Sequence, residues 1–244
     1  SDEKSASSTT TSSSSNMNNN TNSTTSSSSG SGGTNKKPKL QWTLKASLVD
    51  SPQRIEDMKF APRHHGLKLA TSSGDGRIRI YEAPDVMNLS YWTVNQEIVL
   101  QQKNSVARCL SWNTSRTEAP MLVIGESNNV LIYKLEDRQW KLLHRVGTHE
   151  QEVNDVAWAP NMGRSYHLIA SASKDGTACI WKLRTGTCDL MDKYVLVDHK
   201  AEVWRVEWNV TGTVLATSGD DGMVRLYSMV AGKWQCTSTM NAQP

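Results

Sequence analysis

A motif that recurs four times constrains this chain more than any other feature. It consists of an apolar residue, a second apolar residue three positions later, and an aromatic residue two positions after that. The closing aromatics are Phe60, Trp112, Trp158 and Trp208, spaced 46 to 52 residues apart. A repeat of that length is typical of the blades of a β-propeller.

A second motif follows the first in each repeat. A short apolar-small-Ser/Thr run leads into a tight turn, and an alternating strand then ends in an aromatic residue. In three repeats the turn is Asp-Gly, at Asp75, Asp175 and Asp221, and the aromatic follows six residues after the Asp. Asp-Gly between alternating apolar residues predicts a hairpin, because Gly accepts the positive φ of the turn. Repeat two has Asn128-Asn129 instead, which predicts a shorter hairpin.

Each repeat therefore supplies three strands, and a variable segment between repeats supplies a fourth. We predict these fourth strands at Gln41–Val49, Glu97–Gln101, Trp140–Arg145, Tyr194–Val197 and Lys233–Met240. No window shows helical periodicity. The sequence thus predicts an all-β propeller of about four four-stranded blades. The side chains expected between the blades are Ile55, Phe60, Trp112, Val153, Trp158, Val203 and Trp208.

The N-terminal region has a different composition. Residues 1–35 contain no Leu, Ile, Val, Trp or Phe and cannot bury enough apolar surface to offset chain entropy. We expect a disordered Ser/Thr/Asn-rich segment over 1–39 and the propeller over 40–244. The repeats are predicted at about 50–84, 104–136, 147–183 and 198–229.

Composition also argues against several classes of function. The 27 basic and 24 acidic residues give a formal charge of +3, too little for a dedicated nucleic-acid binder. No apolar run approaches the roughly 20 residues of a membrane helix. The four Cys show no CxxC spacing, and neither a metal site nor a cofactor site is predicted.

One set of residues resembles a hydrolase triad, namely Ser171, His149 and Asp175. A triad requires an exposed nucleophile beside an open pocket. Here the Ser would lie within a central strand and the Asp in a turn of the same blade. We therefore interpret the set as a buried hydrogen-bonded network, and we predict no catalytic residue and no enzyme activity.

The Asp-Gly turns and Trp-type strand ends resemble WD repeats over residues 40–240. In that family a His, a strand Ser or Thr, the turn Asp and the Trp form a structural tetrad. The resemblance implies two such tetrads, His149, Ser171, Asp175 and Trp181 in repeat three, and His199, Thr217, Asp221 and Tyr227 in repeat four. Repeats one and two lack the His.

Longer stretches are similar to the small WD-repeat nucleoporins of the SEH-one type. These stretches are Leu48–Ser51, Asp57–Pro62, Gly66–Ala70, Asp75–Asp85, Ala159–Tyr166 and Val203–Asn209. The resemblance implies an open six-bladed propeller whose third to sixth blades match this chain, which would then be an N-terminally truncated fragment. It also implies that an α-solenoid nucleoporin donates a further blade. The residues expected on or near that interface are Val203, Trp204, Val224, Leu226 and Trp234.

The function implied is a scaffold in the outer ring of the nuclear pore complex, among other Y-complex nucleoporins, which supports transport of protein and mRNA. The same resemblance implies a GATOR-two subunit at the lysosomal or vacuolar surface that signals nutrient supply to TOR. Direct contact with nucleic acid and membrane insertion are not expected. An adaptor that binds short peptides on the top face of the propeller is the alternative.

Overall fold

The structure is a computed structural model that describes residues 42–102 and 105–241. These residues form sixteen strands in four sheets, and a 3-10 turn spans Arg63–His65. Blade one contains β1 (Ile55–Phe60), β2 (Lys68–Ser73), β3 (Arg77–Glu82) and β4 (Thr93–Val99). Blade two contains β5 (Ala107–Trp112), β6 (Met121–Glu126), β7 (Asn129–Glu136) and β8 (Gln139–Thr148). Blade three contains β9 (Val153–Trp158), β10 (Tyr166–Ser173), β11 (Ala178–Arg184) and β12 (Leu190–Leu196). Blade four contains β13 (Val203–Trp208), β14 (Val214–Gly219), β15 (Met223–Val230) and β16 (Lys233–Asn241).

Each blade is an antiparallel meander whose strands pair in chain order. The register between its first and second strands shifts once in every blade, which is the mark of a β-bulge. The predicted all-β fold of four four-stranded blades is confirmed.

The turns between the second and third strands follow from local sequence. Gly76, Gly176 and Gly222 have φ of 75°, 83° and 70°, values that a residue without Cβ adopts with little strain. In blade two, Glu126 pairs directly with Asn129, so only two residues form the turn, and Ser127 takes φ 53°. The shorter hairpin predicted for repeat two is therefore present.

In blades two and four the closing Trp of the repeated motif joins the first strand to the preceding blade. The indole Nε1 of Trp112 donates to the carbonyl oxygen of Lys59 at 3.0 Å, and Trp208 Nε1 donates to that of Ala157 at 3.1 Å. The sequence repeat therefore encodes the contact between neighbouring blades.

Carboxylates on two first strands reinforce these contacts. Asp57 Oδ2 accepts the backbone N–H of Leu110 at 2.9 Å, and Asp155 Oδ2 accepts that of Val206 at 3.1 Å. Each bond connects a first strand to the first strand of the following blade.

Five of the seven predicted core side chains are buried, namely Trp112, Val153, Trp158, Val203 and Trp208. The prediction was wrong for Ile55 and Phe60, which are 45% and 64% exposed. Both lie on β1, the first strand of the first blade in the described chain. The motif buries its side chains against a preceding blade, and the part of the chain that the structure describes contains no blade before this one.

The structure corrects the predicted bounds of some of the fourth strands. β4 begins at Thr93 and β12 at Leu190, earlier than predicted, since pairing extends along the whole third strand. Gln41 lies outside the described residues, and Trp42–Val49 forms no strand. Likewise, the segment 1–39 predicted to be disordered lies outside the described residues.

Candidate functional site

The third blade brings its four tetrad residues together from two strands, the turn between them and the loop that enters the blade. Trp181 Nε1 donates to Ser171 Oγ at 2.8 Å, and Ser171 Oγ lies 2.7 Å from His149 Nε2. His149 Nδ1 lies 3.1 Å from Asp175 Oδ2. One donor order satisfies every group: indole to hydroxyl, hydroxyl to Nε2, and Nδ1–H to carboxylate.

The surroundings favour a neutral His149 beside an ionised Asp175. Burial lowers the pKa of His149 and outweighs the effect of the carboxylate. Burial alone would raise the pKa of Asp175, but hydrogen bonds from Thr177 and the backbone N–H of Glu150 hold that pKa below its ordinary value. The carboxylate thus ties the turn to the loop that enters the blade.

Blade four assembles a different network at the same place. His199 Nε2 lies 2.7 Å from Thr217 Oγ1, and His199 Nδ1 lies 3.0 Å from Asp221 Oδ1. Arg225 Nη1 donates to Asp221 Oδ2 at 2.6 Å. The buried hydroxyl of Tyr227 makes no hydrogen bond to Thr217, so the fourth member implied by the resemblance does not close this tetrad.

The sequence analysis did not predict that an arginine, Arg225, takes part in this network. Blade one has the same ion pair: Arg79 Nη2 donates to Asp75 Oδ2 at 2.6 Å, and Arg79 is buried, whereas Arg225 is half-buried. In both blades the Arg follows the turn Asp by four residues and the strand ends in Tyr rather than Trp. That spacing was visible in the sequence and marks blades that use an ion pair at this position.

The triad-like set is unsuited to attack on a substrate. Ser171 is 0% exposed, and its hydroxyl already contacts both His149 and Trp181. The arrangement can hold a strand, a turn and a loop together, which is a structural role. No group of three or more His, Cys, Asp or Glu within 42–102 and 105–241 is placed to hold a metal ion. No helix in the same residues is long and apolar enough to span a bilayer.

Blade four packs one sheet face on blade three, and no other described strand packs on its second face. Trp208, Leu215 and Tyr227 pack with side chains of blade three. Strand alternation turns Val224 and Leu226 to the opposite face, where both are half-buried. This free face of β13–β16 is called the blade-four face below.

The other predicted interface residues lie elsewhere. Val203 is fully buried in the contact with blade three. Trp234 is half-buried and packs edge-on against Trp208, with ring centroids 5.5 Å apart. Trp204 is 45% exposed, and its Nε1 donates to Asp220 Oδ1. The structure therefore does not bring these five residues onto a single surface.

Blade one is also open on the face away from blade two. A cleft of about 570 Å³ lies there, lined by side chains that include Leu48, Ile55, Met58 and Leu69. The same lining includes Tyr81, whose pKa rises to about 12 because of burial and the nearby Asp50. The first and last blades thus both present apolar surface to solvent.

Comparison with known proteins finds WD repeats in this chain and relatives among nucleoporins. The family model of the WD domain, G-beta repeat, matches residues 140–182 and 192–228. The chain is 40% identical over 220 residues to nucleoporin SEH1 of Bos taurus and of Homo sapiens; each match covers 82% of this chain and 60% of the relative. It is 41% identical over 221 residues to nucleoporin SEH1 of Osmerus mordax, over 82% of this chain and 59% of that relative. The chain thus spans about three fifths of the length of these relatives.

Proposed function

Since this chain is a WD-repeat protein related to nucleoporin SEH1, we propose that it is a non-enzymatic scaffold subunit of the nuclear pore complex. Its blades carry hydrogen-bonded networks that hold strands together. The buried Ser171 leaves the triad-like set without an accessible nucleophile. A scaffold acts by presenting surfaces to partners, and two surfaces of the described residues that could do so are the outer sheet faces of blades one and four.

The observation that carries the proposal is the blade-four face. Every contact between neighbouring blades in this chain covers a sheet face that bears large apolar side chains. Val224 and Leu226 sit on such a face, on which no other blade within residues 42–102 and 105–241 packs, and Met240, which pairs with Val224, is 47% exposed. A partner that adds a sheet there would bury apolar side chains as a following blade does.

The proposed partner is an α-solenoid nucleoporin that donates this blade, within the Y-complex of the pore outer ring. The protein would then lie at the nuclear envelope and support transport of protein and mRNA. We extend the proposal to a GATOR-two assembly at the lysosomal or vacuolar surface, where it would take part in nutrient signalling to TOR. The resemblance to SEH1 supports both assignments.

A double substitution on the free face tests the proposal. Val224→Asp with Leu226→Asp should reduce co-purification of the α-solenoid nucleoporin from the same organism at least about tenfold, because the interface would bury unpaired charge. Met162→Asp is the matched control, since Met162 is 68% exposed on the loop between β9 and β10.

Thermal melts of both variants establish that they fold. Native-level capture of the solenoid by a double variant that melts like the parent chain would refute the proposed interface. Equal loss in the Met162→Asp control would also refute it, because the effect would then not depend on the blade-four face.

A further inference from the structure

The three contacts between neighbouring blades are built from one set of positions. Each contact buries the motif residues of a first strand against two residues of the preceding blade's third strand, one and three positions before its closing aromatic. These pairs on the third strands are Ile78 and Ile80, Val130 and Ile132, and Ala178 and Ile180, each at most 1% exposed. The motif residues of blades two to four are at most 6% exposed. A contact between blades therefore needs one face of each kind.

The described chain leaves one face of each kind uncovered. The motif residues of blade one, Ile55, Met58 and Phe60, are 45%, 64% and 64% exposed, and the sheet face that bears them is called the blade-one face. The matching pair on the blade-four face is Val224 and Leu226, both half-buried. The two uncovered faces thus carry complementary halves of the contact that already joins the blades within the chain.

The third residue of a first strand can lie against the first strand of the following blade. Asp155, the third residue of β9, accepts the backbone N–H of Val206, the fourth residue of β13, at 3.1 Å. The same carboxylate lies 3.8 Å from Nη1 of Arg205, the third residue of β13, whose side chain is 67% exposed. A blade that followed blade four would therefore place its own third and fourth residues beside Arg205.

The first strand of blade one carries the charges that suit this place. The third and fifth residues of β1 are Asp57 and Lys59, whereas those of β13 are Arg205 and Glu207. Stacking β1 after β13 would set opposite charges against each other at both positions. Complementary charges of this kind fix the register of an interface and disfavour wrong partners.

Two hydrogen bonds found in other contacts are not required for stacking. Blade three packs on blade two although Cys109 stands in the place of the Asp, and the buried Nε1 of Trp158 has no hydrogen-bond partner. Phe60, which has no N–H to donate from its ring, is therefore compatible with such a contact.

We infer that a second copy of this chain covers the blade-one face with its blade-four face, and that the reciprocal contact closes a dimer. Residues 1–35 contain no Leu, Ile, Val, Trp or Phe, so that part of the chain cannot supply the apolar cover. A face of four strands about 4.8 Å apart and about six residues long covers roughly 400 Å². Two contacts give roughly 800 Å² per partner, the size of a standard stable interface, whereas one contact gives half of that. The closed dimer is therefore favoured over an open row of copies.

The mass of the full chain in solution tests the inference without any substitution. Sedimentation equilibrium over a wide range of protein concentration should give twice the chain mass of 27.1 kDa, with dissociation on dilution. The mass of a single chain at every concentration, or a continuing series of larger masses, would overturn the inference.

Charged substitutions on the two faces identify the contact. Met58 would lie against Arg205 of the second copy, so Met58→Arg and Arg205→Glu should each weaken the dimer by about tenfold or more, because each brings like charges together. An equal mixture of the two variants should restore the dimer, because both of its contacts then join opposite charges. Met162→Arg is the matched control, since Met162 is 68% exposed on the loop between β9 and β10, outside both faces.

Thermal melts establish that the variants fold. A dimer that survives Met58→Arg, a mixture of folded variants that stays monomeric, or an equal loss in the Met162→Arg control would each overturn the inference.

The dimer does not depend on the proposed scaffold function, although it uses the face that the solenoid is proposed to bind. Met58→Arg should therefore abolish the dimer and keep native-level capture of the α-solenoid nucleoporin. Loss of that capture as well would assign the blade-one face to the solenoid and overturn the inference. A parent chain that dimerises but never captures the solenoid would refute the proposed function alone.

Discussion

Removing one hydroxyl from each of two blades should destabilise them unequally. Ser171 Oγ contacts both His149 Nε2 and Trp181 Nε1, all of them buried. Ser171→Ala therefore leaves an acceptor and a donor unpaired. Thr217 Oγ1 contacts only His199 Nε2, because Tyr227 does not bond to it. Thr217→Val therefore leaves one group unpaired while keeping the side-chain shape.

The sizes of the two effects follow from that count. A buried polar group without a partner costs about 1–3 kcal/mol, so Ser171→Ala, which leaves two such groups, should lower the free energy of unfolding by about 2–6 kcal/mol. Thr217→Val should lower it by about half as much. Urea denaturation of the chain, followed by tryptophan fluorescence, measures both losses.

A double-mutant cycle separates the indole bond from general loss of packing. Trp181→Phe removes the donor, so Ser171→Ala should cost less in that background, with a coupling energy on the order of 1 kcal/mol. Equal losses for Ser171→Ala and Thr217→Val, or no coupling between Ser171 and Trp181, would refute the account of the two networks.

Two further predictions concern the contacts within and between blades. Burial raises the pKa of Asp155 to about 6, so folding favours the protonated form of this carboxyl. The contribution of Asp155 to stability is therefore full below the unfolded pKa near 4 and is lost as pH rises through about 6. Between pH 4 and 7 the parent chain should lose about 2 kcal/mol of unfolding free energy that Asp155→Asn does not lose, since about half of the unfolded carboxyl is already ionised at pH 4. A difference between the two chains that stays constant in urea melts across these pH values would contradict this. Gly147 lies on β8, where an added Cβ would collide with the Trp181 ring. Gly147→Ala should destabilise the chain by about 1–3 kcal/mol, and an unchanged melting temperature would show that the ring can move away.

Much of the local structure was predictable because short-range chemistry dictates it. Asp-Gly at three turns requires positive φ that glycine accepts, and the two-residue turn at Ser127 follows from the missing Asp in repeat two. The aromatics Trp112, Trp158 and Trp208 recur at one register position, and their burial follows from the repeat.

Other features depended on which blade lies next to which. Ile55 and Phe60 carry the same motif as their buried counterparts yet are exposed, because burial requires a preceding blade and not merely an apolar side chain. Val203 and Val224 belong to one blade, but only alternation within the assembled sheet sends them to opposite faces. The separation of two residues along the sequence does not reveal which blade covers a side chain or on which sheet face it lies.

The sequence by itself determined the blade: its four strands, its turns, and the tetrad partners that lie within reach of one another along a meander. Only the tertiary structure decided what forms between blades. Arg164, on the loop between β9 and β10 of blade three, donates to the carbonyl oxygen of Gly212 in blade four. These two residues are 48 positions apart and belong to neither repeat motif, so they meet only because the sheets stack.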